Sequence, residues 1–156
     1  MIRPLVKEDR EKILQILIDT KNFNEDEISV AMELIDVYLN NEDQKDYEIF
    51  TDAGVGNEVN GYICIGPRPL TEGTYDLYWI AVNPNSQSKG VGSGLVKHIE
   101  EHLKKQNGRL ILIDTSGKES YEKERKFYEK NNYKKLVEIK DFYRVNDSLV
   151  VYGKYI

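Results

Sequence analysis

Residues 83–95 read NPNSQSKGVGSGL, between an apolar run YWIAV (78–82) and a segment VKHIEEHLKK (96–105) that continues a stripe of apolar residues four apart. Gly90, Gly92 and Gly94 fall within five residues, a density that a chain uses where backbone bends unusually or approaches something closely. A strand that enters a helix through such a loop brings free backbone N–H groups together with the positive end of the helix dipole, roughly half a charge, which makes an anion site. The plain alternative is a tight strand-to-helix turn that binds nothing.

On either side, the periodicity spells out the rest of the chain. Ile2 to Leu5 is extended, and Ile13, Leu14, Ile16 and Leu17 mark an amphipathic helix over Lys7 to Thr20. Asn24 precedes Glu27 by three, a capping-box spacing flanked by Phe23 and Ile28 as a hydrophobic staple, so a second helix runs from about Glu25 to Leu39. YEIFTDA (47–53) and NGYICIG (60–66) predict a hairpin, and Thr74 to Val82 a longer strand. Val91, Leu95, Ile99 and Leu103 carry a third helix to about Gln106. RLILIDT (109–115) is a continuous apolar run suited to a strand buried on both faces. A fourth helix over Ser120 to Asn131 is followed by Asn132 at a left-handed position. Two strands, about Tyr133–Tyr143 and Leu149–Ile156, close the chain around a Val145–Ser148 turn. The order β-αα-βββ-α-β-α-ββ implies an α/β (α+β) fold: a mixed, mostly antiparallel central sheet flanked by helices, one domain over 1–156.

Composition narrows the function. A net charge of −5 over 156 residues argues against nucleic acid as a partner. One cysteine, Cys64 in a strand-like context, and no long apolar run favour a soluble, reducing, cytoplasmic setting without a membrane. Between Glu25 and Glu48, nine carboxylates face the single cation Lys45, which reads either as a solvated helix face or as an electrostatic funnel for an amine. His98-Ile-Glu-Glu-His102 places two histidines on one helix face, but Ile99 occupies the position a zinc-protease glutamate needs, and no metal is expected.

Three phosphate-binding patterns compete for the glycine loop. No Gly-x4-Gly-Lys-Ser/Thr is present. A dinucleotide fingerprint is a near miss: Gly90, Gly92 and Gly94 are spaced Gly-x-Gly-x-Gly, and Asp114 lies twenty residues beyond Gly94 as a ribose-binding acid would. Two helices and three strands precede the loop, however, where such a motif normally opens its domain. The third pattern, Gln/Arg-x-x-Gly-x-Gly/Ala, is met by Gln87-Ser88-Lys89-Gly90-Val91-Gly92.

That third pattern resembles the pyrophosphate-binding motif of the GNAT N-acetyltransferases, and YWIAV followed by Asn-Pro, RLILID and FYEKN (127–131) accompany it in that family's order over nearly the whole chain. The resemblance implies acetyl-CoA as co-substrate, its pyrophosphate on Gln87, Ser88, Lys89, Gly90, Val91, Gly92 and Ser93 and its pantetheine and thioester against the backbone of Ile80, Ala81 and Val82. It implies direct transfer of the acetyl group to a primary amine within a ternary complex. Tyr128 aligns with the tyrosine that serves many members as general acid toward the coenzyme sulfur; a packed aromatic is the alternative, since the chain has 11 tyrosines. Asp76, on the strand face of Tyr78 and Ile80, matches the carboxylate of histone-type relatives, and Asp114 resembles that of ribosomal-protein-type members; either could be the base, and either could be a solvated strand-end acid. Tyr121 stands where many members have a coenzyme-contacting asparagine, and Asn132 where they have glycine. Asp141-Phe142-Tyr143-Arg144 falls where members of that family often shape the acceptor side; a hairpin with aromatic cross-strand pairs is the alternative. The other readings are an acyl-CoA-binding sensor module without turnover and, third, a dinucleotide-binding domain. The acceptor's identity is not legible, and a homodimer stays open.

Overall fold

Asn24 opens the second helix by chemistry that its sequence announces. Its Oδ1 accepts the Glu27 N–H (2.8 Å) and its own N–H donates to Glu27 Oε2 (3.0 Å), satisfying two donors that a helix start leaves orphaned. In the computed structural model, which describes residues 1–156, α1 spans Arg10–Asp19 behind a short 3-10 turn at Lys7–Asp9, and α2 spans Glu25–Asn40. The strands are β1 Ile2–Pro4, β2 Glu48–Ala53, β3 Val59–Pro67, β4 Thr74–Val82, β5 Leu110–Ser116, β6 Lys134–Arg144 and β7 Asp147–Tyr155; α3 covers Val91–Lys105 and α4 Glu122–Lys130. They form one seven-stranded sheet in the order β1-β2-β3-β4-β5-β7-β6, with β4 and β5 parallel and β1–β2, β2–β3, β5–β7 and β6–β7 antiparallel. The fold class and element order expected from the sequence are those observed.

The chain divides into two compact units, Met1–Gly66 with Tyr78–Glu101, and Pro67–Leu77 with His102–Ile156. In the first, α1 and α2 lay Ile13, Leu17, Ala31 and Ile35 against Ile49, Tyr62 and Cys64 of the sheet. Each such Ile or Leu side chain contributes about 1.5–3 kcal/mol relative to exposure. Cys64 is buried core, as its strand context implies. Asp9, also fully buried, is gripped by the Arg3 guanidinium at 2.6 and 2.9 Å and by the Val6 N–H at 3.1 Å. Burial raises its carboxyl pKa, and those donors outweigh burial, leaving it below the ordinary range.

The β3–β4 hairpin carries an irregularity that its sequence hides. The Asn83 N–H bonds the Asn60 carbonyl (2.7 Å) at one end, and the Arg68 N–H bonds the Thr74 carbonyl (2.9 Å) at the other. From Asn60 to Arg68 is eight steps and from Thr74 to Asn83 nine, so the β4 side accommodates one extra residue, the arithmetic of a β-bulge.

In the second unit, β5 pairs with β4 over Leu110–Leu112 against Thr74–Asp76, and with β7 along its whole length. The expectation that β5 is buried on both faces is corrected here: Ile111, Ile113 and Thr115 are buried, while Leu110 and Leu112 are half-buried and Asp114 is exposed. The closing hairpin turns more tightly than expected, through Val145 and Asn146, with Asn146 left-handed at φ 65°. The fourth helix begins at Glu122, later than expected, because Glu119–Tyr121 forms a 3-10 turn. Its end is as expected: Asn132 has φ 67°, the Asn132 N–H bonds Glu129 C=O (3.0 Å), and the Tyr133 N–H bonds Tyr128 C=O (3.0 Å), a complete Schellman motif.

Candidate active site

The glycine loop lies in the first unit, and each part of it has a local cause. Asn83 Oδ1 accepts the Asn85 N–H (3.0 Å) and starts a 3-10 turn at Pro84–Ser86, whose Ser86 hydroxyl donates to Asn60 Oδ1 (3.1 Å). Ser88 and Gly90 then take left-handed conformations, φ 64° and 78°. Gly90 C=O accepts the Gly94 N–H (2.8 Å), so α3 starts there and the N–H groups immediately before Gly94 have no carbonyl a turn behind them within the helix. Nothing lies within 4 Å of where a Gly90 Cβ would stand. The helix start is seated on β3 at Gly61, where a Cβ would meet the Ala81 carbonyl at 2.8 Å and Val91 Cγ1 at 3.2 Å. Gln87, Ser88, Lys89 and Gly90 are exposed, Gly92 is buried under them, and Val91 and Ser93 are half-buried; Ile80 and Val82 at the end of β4 are half-buried and Ala81 is buried. Open space over unpaired amides at a helix start fits an anion such as a pyrophosphate.

In the second unit, β4 and β5 bring two carboxylates near each other. Asp76 pairs across from Leu112, two residues before Asp114. Arg68, which the sequence reading left out, holds Asp76 through Nε (3.1 and 3.2 Å) and Nη2 (3.0 Å). Asp114 is exposed at the far end of β5. Partial desolvation pushes its carboxyl above the ordinary range, with Arg68 opposing and Asp76 reinforcing the rise. Tyr143 of the DFYR segment is raised by burial and then by the charge of Asp114, with smaller contributions from Asp147 and Tyr121, so DFYR and Tyr121 share this electrostatic neighbourhood. Below them, Asp147 accepts the Ser116 hydroxyl at 2.5 Å and pairs with Lys118 at 3.4 Å, while Arg125 donates to the carbonyls of Ser116 (2.8 Å) and Lys118 (2.6 Å). This network anchors the β5–α4 connection, and no motif in the sequence signals it.

Tyr128 is buried on α4 among the rings of Phe127, Tyr133 and Tyr152, at centroid distances of 5.6, 6.5 and 6.0 Å. Burial, and after it the charge of Glu124, pushes its phenol well above the ordinary value. Tyr128 is thus a packed aromatic whose phenol keeps its proton at neutral pH. His98 stacks edge-on to Phe50 at 4.8 Å and His102 contacts Gln106 at 2.9 Å. A shallow groove of about 680 Å3 on α1 and α2, lined by Arg10, Met32, Glu33, Asp36 and neighbours, contains none of the candidate residues.

Solved structures carry the same architecture. A GNAT-family protein from Desulfovibrio desulfuricans superposes with TM-score 0.93 at 33% identity, covering 99% of this chain and 98% of its own. An aminoglycoside 6'-N-acetyltransferase complexed with coenzyme A matches at TM-score 0.75 and 16% identity, over 99% of this chain and 96% of that one. A ribosomal-protein-alanine N-acetyltransferase from Brucella melitensis matches at 0.78 and 17%, over 100% and 99%. Among curated proteins none matches the chain. The model of the acetyltransferase (GNAT) family aligns with residues 11–133, from α1 through the glycine loop to the end of α4, and the chain belongs to that family.

Proposed function

We propose that the protein transfers the acetyl group of acetyl-CoA directly to a primary amine, as a single cytoplasmic acetyltransferase domain. One observation carries the reading: left-handed Ser88 and Gly90 leave open space over unpaired amides at the start of α3. Gln87 to Ser93 hold the pyrophosphate there, and the backbone of Ile80, Ala81 and Val82 meets the pantetheine and thioester. A bulged strand leaves the extra residue's backbone groups unpaired in the ladder, which supports that role for β4. One backbone donor aimed at a developing oxyanion is worth about 2.7–4 kcal/mol in a well-studied protease.

Of the two carboxylates, Asp114 is the better base. A base must be free to accept a proton, and Asp76 is committed to Arg68 through three contacts. Asp114 has the raised proton affinity that catalysis near neutrality favours. The neutral amine loses a proton to Asp114, directly or through water, as its nitrogen attacks the thioester carbonyl. The C–S bond breaks with its electron pair on sulfur, Tyr128 is the acid that protonates that sulfur, and the proton held by Asp114 returns to Tyr128 through solvent. The fold neighbours named as an aminoglycoside 6'-N-acetyltransferase and a ribosomal-protein-alanine N-acetyltransferase support an amine acceptor. A screen of acetyl-CoA thiol release across small amines, amino acids, polyamines and peptide N-termini tests the proposal. Release with at least one class, slowed tenfold or more by Tyr128→Phe at unchanged coenzyme affinity, is expected. Coenzyme binding without release across the whole panel would overturn it in favour of an acyl-CoA sensor.

A further inference from the structure

The outermost strand of the second unit, β6, is patterned the wrong way round. Tyr152 of β7 lies 6.0 Å from the Tyr128 ring of α4. Ile113, across from Tyr152 on β5, and Lys135, across from it on β6, therefore belong to the face that α4 covers. Val151 points the other way, and with it Asp114 on β5 and Val137 on β6. Glu138, across from Val150, shares the α4 side with Lys135, and Ile139, across from Leu149, shares the other side with Val137. Leu136 joins that other side: a Cβ on Gly153 would collide with Leu136 Cδ1 and stand 3.1 Å from Leu112 Cδ2, so the two leucines meet over Gly153.

An antiparallel strand with one packed face ordinarily turns its apolar residues to the core and its polar ones to water. In β6 the ion pair Lys135–Glu138 (2.6 Å) is on the helix side. Leu136, Val137 and Ile139 are 48, 46 and 46% exposed on the side turned away from α4, and Tyr155 of β7 is 76% exposed on the same side. The bulge beyond Ile139 adds Phe142 and Tyr143, 53 and 46% exposed. Taking an aromatic side chain as about 150–250 Å2, the exposed parts of these six residues amount to on the order of 500 Å2 of apolar surface. A standard interface buries about 800 Å2 on each side, a little over half of it apolar, so the patch is of the size that a stable dimer needs.

The structure also limits what can cover it. An added strand needs a regular edge, and β6 is bulged twice: Lys135 to Val137 is two steps against one from Tyr152 to Val151, and Ile139 to Arg144 is five against two from Leu149 to Asp147. The second bulge is fixed by left-handed Asp141 (φ 53°), whose Oδ1 accepts the Asn146 N–H at 2.7 Å. An anionic lipid surface would meet a chain of net charge −5 with Asp114 and Asp141 beside the patch. The occupant is therefore a flat apolar surface that packs by its face, and the chain itself supplies one. We propose that this face of β6 and β7 binds a second copy of the chain about a two-fold axis near Val137. Aliphatic side chains then meet aliphatic side chains, and no charge of the strand interior is desolvated, because Lys135 and Glu138 neutralise each other on the opposite side. Lys134, at the strand's end, reaches water at the rim. The proposal goes beyond acetyl transfer and stands whether or not that reading holds.

Sedimentation equilibrium of the full chain without coenzyme tests it. Wild type should contain a species of twice the 18.1 kDa chain mass that dissociates on dilution. Val137→Lys puts two like charges at the axis and should weaken association roughly a hundredfold or more. Ile139→Lys should act in the same direction, while Lys135→Ala, on the α4 side of the same strand, should leave association unchanged. Circular dichroism and urea unfolding check that each variant folds. Should both lysine variants fail to fold, oxidation of Val137→Cys is read instead. Cys64 is buried, so Val137→Cys should crosslink two copies where a Lys135→Cys control does not, and equal crosslinking of the two would overturn the proposal. A wild type that stays monomeric at every concentration would overturn it, as would a dimer that neither lysine weakens. A monomer that floats with phosphatidylserine vesicles would overturn it in favour of a membrane.

Discussion

Replacing Gly90 by alanine separates the backbone of the loop from its cargo. At φ 78° a Cβ meets its own backbone, which costs about 1–2 kcal/mol, and since no atom lies within 4 Å of the new methyl there is no clash to add. Gly94→Ala is the matched control. It is helical, its new Cβ would be 4.0 Å from Ile2 Cδ1, and alanine there should stabilise by about 0.5–1 kcal/mol. The two variants should therefore move the urea midpoint in opposite directions, by roughly 1.5–3 kcal/mol in total. The methyl at Gly90 fills the open space where a phosphate oxygen would approach the amides. Losing one charge-assisted hydrogen bond, about 1.5–3 kcal/mol, weakens coenzyme A binding roughly tenfold to a hundredfold. Calorimetry on both variants reads this directly. Coenzyme A binding to Gly90→Ala with wild-type affinity would refute the placement of the pyrophosphate at this loop.

Three other perturbations probe the surrounding structure. Arg3→Met leaves Asp9 buried without its cation and should cost about 3–5 kcal/mol at pH 7. In the wild type the lowered Asp9 value gives stability that is present above the unfolded pKa and lost as pH falls through the folded one. Without Arg3, burial acts on Asp9 with its main opposition gone and pushes its carboxyl up, so the variant regains stability by taking up a proton as pH falls; its deficit should narrow on acidification, and equal deficits at pH 7 and pH 4 in urea titrations would contradict this. Asn24→Ala removes both bonds of the capping box and should lower stability by about 0.5–2 kcal/mol, read by the urea midpoint; no change would mean that the box contributes nothing. Asp114→Asn should slow turnover and flatten the acid limb of the kcat/KM profile without destabilising the fold. A carboxyl with a raised folded pKa costs stability above that value and recovers it as pH falls. A profile altered instead by Asp76→Asn alone would reverse the assignment of the base.

Much of the fold was written in local chemistry. β4 runs over Thr74–Val82, as expected, because aromatic and β-branched residues there are bounded by Gly73 and by Asn83-Pro84. The start of α2 followed from Asn24 and Glu27, and the end of α4 from the left-handed tolerance of Asn132. The misreading of β5 has an equally local cause: RLILID is apolar at every position but its ends, and an apolar run does not reveal whether one face is open. Asp114 is the one residue that interrupts the run, and its exposure marks the open side. Partnerships escaped the sequence reading wherever they depend on register or on long-range packing. Arg68 reaches Asp76 only because the hairpin turns between them, and Glu124 looks like an ordinary helix-surface acid until its oxygen is found sealed.

The acidic segment around α2 shows how structure reweights a charge pattern. Nine carboxylates between Glu25 and Glu48 suggested a funnel for a cationic acceptor. Glu25, Asp26 and Glu27 occupy the first turn of α2, where negative charge answers the helix dipole and Glu27 closes the capping box. Asp36 is held by Arg10 at 2.6 and 2.8 Å, which lowers its pKa and cancels its field at a distance. What is left to steer an amine is a smaller set, with Glu33 on the α1–α2 groove beside Met32 and Val37. A field from so few exposed charges fades beyond about 8 Å at physiological salt. Raising ionic strength should therefore lower kcat/KM for a cationic acceptor by no more than a few fold, and Arg10→Gln, which frees Asp36, should steepen that dependence. A strong salt dependence in the wild type that Arg10→Gln does not alter would mean that the steering charges lie elsewhere than α2.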